Sequence, residues 1–141
     1  MKPYHKRFSR IHPEVVRLAR EMRRGWATMT EADRQQAIVR FVKAASEVYR
    51  ISVPEVGFAP NTDFYFVGQI WLSEASSITA WHEFRHHWQL MTGSTVADVE
   101  DDARGWSLSL LHSVAPNTLR RLAREDRVLH LDARMKNRDG R

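Results

Sequence analysis

Two histidines stand four residues apart in the run Trp81-His82-Glu83-Phe84-Arg85-His86, and this spacing constrains the fold more than any other feature of the chain. Residues four apart sit one turn above each other on the same face of an α-helix. If the two imidazoles act together, the stretch is helical, and the fold must bury another face of that helix. The sequence supplies one: Trp81, Phe84, Trp88 and Met91 repeat at helical spacing as an apolar anchor. Ser76 or Ser77 can cap the helix and Thr92-Gly93 can end it, which predicts a helix over 77–92.

His82 and His86 can close on one divalent ion, for which this His-Glu-x-x-His spacing points to zinc. The chain has no cysteine, so any metal must be held by His, Asp or Glu. Glu83 adjoins the pair without sharing its position. Its carboxylate can reach a water on the metal while staying outside the ligand set, as a general base requires. In a chain with this His and Glu content, chance supplies about 0.02 copies of the pattern, which disfavours coincidence. His87 lies about 100° round the helix from His86, and is expected at the surface or as a support behind the site.

The other periodicities describe an α+β, mainly helical single domain over residues 1–131, followed by a polar tail over 132–141. His12-Pro13 opens a first helix, with Val15, Leu18, Ala19 and Met22 on one side, and Gly25 ends it. Thr30 followed by Asp33 resembles a capping box, with Asp in place of Glu, for the longest helix, over about 31–50. A short strand near 55–59 precedes the turn Ala59-Pro60-Asn61-Thr62-Asp63. Residues 64–73 then alternate with period two, which predicts a hairpin or small antiparallel sheet, with Gly68 marking a bulge or a close backbone approach. Helices over 96–113 and 117–130 complete the reading, separated near Pro116.

Charge is uneven along the chain. Residues 1–25 hold eight Lys/Arg against two acids, residues 117–141 hold eight against four, and the middle is net acidic. Arg-rich ends suit a nucleic acid or an acidic partner, although two solvated ends explain them as well. No apolar run reaches the length needed to cross a bilayer. The expectation is a cytoplasmic protein with no membrane partner.

A catalytic zinc takes three protein ligands and leaves a position for water. The candidates for the third are His112, His130, Asp98, Glu100, Asp101 and Asp102. The run Glu100-Asp101-Asp102-Ala103-Arg104-Gly105-Trp106-Ser107 resembles the Glu-x-x-Ala-x-x-Phe-Ala helix of small gluzincin peptidases. That family includes minimal single-domain enzymes and bacterial and phage-associated peptidases that act on repressors. The resemblance covers residues of about 64–113. It implies a zincin-like fold, His82, His86 and Glu100 as ligands of Zn2+, and Glu83 as the base of a zinc metalloendopeptidase acting on a peptide or protein substrate. Where some of the family place an acid to orient a ligand histidine, this chain has Arg104. The resemblance further implies that the strand over 64–73 aligns substrate. Tyr65, Arg104 and His112 are candidate oxyanion donors. The alternative from another class is a non-catalytic or self-inhibited zinc module that binds protein or nucleic acid through its Arg-rich ends, with the N-terminal helix lying over the metal.

Overall fold

Five α-helices and a three-stranded sheet make up the regular structure of residues 10–124, the part of the chain that the computed structural model describes. Helix α1 (Pro13–Arg23) starts as its sequence dictates, with Pro13 at the first position and His12 Nδ1 accepting from the Glu14 amide at 3.0 Å. It buries Val15, Ala19 and Met22 against α2 and α4, so it belongs to the core. Gly25, at φ 73°, turns the chain into a short 3-10 segment, Trp26–Thr28. Helix α2 (Glu31–Tyr49) is capped by Thr30, whose hydroxyl accepts from the Asp33 amide at 3.1 Å. Its repeat at three and four buries Ala37, Ile38, Phe41, Val42 and Ala45.

Strands β1 (Glu55–Phe58), β2 (Phe64–Phe66) and β3 (Gln69–Leu72) lie in the order β1-β3-β2. β3 pairs parallel with β1 and antiparallel with β2. The sheet is therefore mixed, where a purely antiparallel one was expected. The alternation over 64–73 is also divided by a two-residue turn at Val67-Gly68, in which Gly68 takes φ 82°. Folding back across that turn pairs Tyr65 with Ile70 and Phe66 with Gln69. The inward parity switches as a result. Ile70 and Leu72 are fully buried, whereas Phe64 and Phe66 remain 46% and 66% exposed.

Helix α3 (Ser77–Thr92) runs from the Ser76 cap to Gly93 at φ 65°. Helix α4 (Val99–Val114) packs along it, and the contact order shows that the two are antiparallel: Gln89 meets Val99, Arg85 meets Asp102, and Phe84 meets Trp106. α4 begins three residues later than its periodicity suggested, because Asp98 caps it by accepting from the Asp101 amide at 3.0 Å. Helix α5 (Pro116–Arg124) follows directly. The expected continuation of that helix to 130, the polar tail 132–141 and His130 lie outside the described residues.

One cluster of buried side chains joins all five helices and β3. Trp81, Phe84 and Trp106 are its largest members. The Phe41 ring stands 6.1 Å from Trp81 and 6.0 Å from Phe84, and Phe84 stands 6.0 Å from Trp106. Each such ring gives about 1.5–3 kcal/mol from burial alone, so the motif helix is fixed by its apolar face. No described helix is long and apolar enough to cross a membrane.

Candidate metal centre

Antiparallel packing sets the first turn of α4 against the middle of α3. Glu100, two residues past the Asp98 cap, thereby faces both motif histidines. Its Oε1 lies 3.0 Å from His82 Nε2 and its Oε2 lies 2.8 Å from His86 Nε2. One ligand atom from each residue falls within 4.8 Å of the others, a group that can hold a metal ion.

The hydrogen bonds around His86 show which of its nitrogens is available. Gln89 Nε2 donates to the Val99 carbonyl and to Asp102 Oδ2, each at 2.9 Å, so both amide hydrogens are committed. Gln89 therefore presents its oxygen to His86 Nδ1, 2.9 Å away, and that nitrogen carries the ring proton. In the neutral ring, Nε2 then holds a lone pair facing a carboxylate oxygen at 2.8 Å. Two acceptors at that distance need a positive centre between them, either a second ring proton or a metal cation. A set of two imidazoles and a carboxylate is chemistry suited to a divalent transition metal.

Asp102 is placed as a support. It accepts from Arg85 Nε at 2.8 Å and Arg85 Nη2 at 3.3 Å, besides Gln89. Burial tends to raise its carboxyl pKa, but these bonds outweigh that and hold it below the ordinary value. At Glu100, burial likewise favours the acid, and the facing histidines with Arg104 override it, leaving that carboxyl low as well. His82 is held below the ordinary imidazole range, by burial first.

Glu83 is 7% exposed. Burial, with Glu100 and Asp63 adding repulsion, pushes its carboxyl up to about 8. Asp63 is held at φ 81° beside the sheet, its carboxylate accepting from the Ser73 amide at 2.8 Å and the Ser73 hydroxyl at 2.9 Å. Its proximity to Glu83 is a tertiary fact with no signal in the sequence.

His87 differs from expectation: it is fully buried. Its Nε2 lies 2.7 Å from the Ser52 carbonyl, which can only accept, so Nε2 carries the proton and Nδ1 accepts from the Tyr65 hydroxyl at 2.8 Å. The Tyr65 oxygen in turn accepts from the Gly68 amide at 2.8 Å. The sheet packs on the side of α3 opposite solvent, so the residue 100° from His86 points inward.

Of the proposed oxyanion donors, Tyr65 is committed to this network, and His112 lies twelve residues beyond Glu100 on α4, about 18 Å along the axis. Arg104 is one turn beyond Glu100, its charge acts on both His82 and Glu100, and its Nε is buried with no hydrogen-bond partner among the described residues. Comparison of the chain with protein-family models, with curated proteins and with solved structures gives no match.

Proposed function

We propose that the chain is a zinc-dependent peptide hydrolase of the gluzincin type, with His82, His86 and Glu100 as ligands and Glu83 as general base. The observation that carries this reading is the convergence of three ligand atoms within 4.8 Å beside a buried carboxyl that no ion pair claims among the described residues. When bound there, zinc supplies a Lewis acid for the substrate carbonyl and lowers the pKa of a coordinated water.

Glu83 takes the proton of the attacking water and returns it to the leaving amine. Burial primes it for this: a carboxyl raised in the metal-free protein falls toward neutrality beside a cation, the range in which a group both accepts and donates. Gln89 keeps the His86 proton on Nδ1, leaving Nε2 for the metal. Arg104 donates to the oxygen on which negative charge develops. β2 is one of the two edge strands among the described strands, and an extended substrate pairs with it through backbone hydrogen bonds.

The test is metal analysis combined with turnover on a quenched-fluorescence peptide library. Wild type should carry one zinc per chain, lose hydrolysis with a chelator and regain it with zinc. Glu83→Gln should keep the metal and lose about 10²–10⁴-fold in rate, whereas Glu100→Ala should lose stoichiometric metal. A wild type that binds no zinc, or a Glu83→Gln protein with unchanged turnover, overturns the reading.

A further inference from the structure

Away from the metal ligands, at the first turn of α3, side chains from all five helices line an open polar cavity of about 440 Å³. Arg23 enters it from the end of α1, Arg34 from the first turns of α2, and Arg121 from α5. These arginines come from distant parts of the sequence. Arg23 donates from Nη1 to the Ser77 hydroxyl at 2.9 Å and from Nη2 to the Thr118 hydroxyl at 3.4 Å. Its Nε is buried with no partner among the described residues.

Among the described residues no ion pair neutralises Arg23, Arg34 or Arg121. Burial lowers the Arg23 pKa, and the charges that add to the effect are Arg121 and Arg34, both repulsive. Arg34 is held by a bond from Nε to the Trp26 carbonyl at 2.9 Å, and Arg23 and Arg34 both lie over the Trp26 ring, at 5.3 and 5.4 Å. Trp26 thus fixes two guanidinium groups in place without cancelling their charge. Glu74 is the one acid among the described lining residues. Arg23 and Arg34 are half-buried and Arg121 is exposed at the cavity rim, and an anion among the three relieves their mutual repulsion.

We propose that this cavity binds a phosphate group, either inorganic phosphate or the phosphate of a small ester. Three guanidinium forks need more acceptor positions than the two oxygens of a carboxylate provide, and a tetrahedral dianion offers them. Ser77, the first residue of α3, adds the positive end of that helix's dipole. A bound phosphate ties α1, α2, α3 and α5 together at the base of the helix that bears His82 and His86.

The site involves none of the metal ligands, so it is tested on chelator-treated full-length protein, with ionic strength held constant by chloride. Inorganic phosphate and adenosine monophosphate are titrated separately by calorimetry and thermal unfolding. Saturable binding with a ligand-dependent rise in Tm is expected, weakened about tenfold or more in Arg34→Gln and in Arg121→Gln. Equal binding of the two probes supports a site that reads the phosphate group alone, and binding of the ester only supports an ester ligand. No saturable effect of either probe, or unaltered affinity in both variants, overturns the proposal. Hydrolysis is not read in this experiment, so its failure leaves the peptidase reading standing, and loss of zinc-dependent turnover leaves the phosphate site standing.

Discussion

At Glu83 and His86 the surroundings settle chemistry that the residue types leave open. Gln89 stands three positions after His86, on the same helix face, so its bond to the ring was within reach of helical spacing alone. Asp102 was legible only as one of several acids at a helix start, because its distance from Gln89 and Arg85 depends on how α4 packs. The titration of Glu83 gives a prediction for the metal-free protein. Its folded pKa, about 8, stands above the ordinary value of 4.5, so from pH 4.5 to 8 the unfolded chain releases a proton that the folded one keeps. The stability Glu83 contributes is complete below that window and is lost as pH rises through it. Glu83→Gln, neutral throughout, should exceed wild type in stability at pH 8 by on the order of a few kcal/mol and match it near pH 4. Urea melts at the two pH values check this. His82 and His87, held low by burial first, work in the opposite sense: their contribution is present above the ordinary imidazole pKa and lost on acidification. Both histidines occur in both proteins, so the difference between the melts isolates Glu83.

The helices were largely legible because a repeat of three and four residues records burial on one face: α1 and α2 bury most of the residues it marks, whereas on α3 Trp81 and Phe84 are buried but Trp88 is only partly covered and Met91 is exposed. The sheet was less so. Alternation continues straight through Val67-Gly68, and nothing in a period of two reports that the chain reverses there and exchanges its inward and outward positions. Parallel pairing of β1 with β3 is likewise a property of the assembled sheet. What holds the hairpin to α3 is the Tyr65–His87 bond. Tyr65→Phe removes the donor to His87 Nδ1 and the acceptor for the Gly68 amide, and should cost about 1–3 kcal/mol. Hydrogen exchange at Gly68 should accelerate relative to the α3 amides, and unchanged exchange there would show that the bond does not secure the hairpin.

For the molecule as a whole, the centre lies at the aromatic cluster of Phe41, Phe84 and Trp106, where α2, α3 and α4 meet. Trp106 and Glu100 share α4, so the packing that buries one also aims the other. Trp106→Ala should cost about 3–5 kcal/mol in a denaturant melt and weaken zinc binding as well. Full zinc affinity at reduced stability would separate the core from the site. Charge segregation also takes on a spatial meaning that sequence order concealed: Arg23 and Arg34, from the N-terminal third, meet Arg121 across one cavity. The crowding of α3 bears on how such a chain can vary over generations. Trp81 and Phe84 fill the core, His82 and His86 face Glu100, Arg85 and Gln89 hold Asp102, and His87 holds the sheet. Seven of the nine positions from 81 to 89 thus have contacts that a new side chain would have to reproduce. Neutral drift should therefore collect on exposed stretches such as residues 95–97, while the helix between Trp81 and Gln89 passes through descent nearly unaltered.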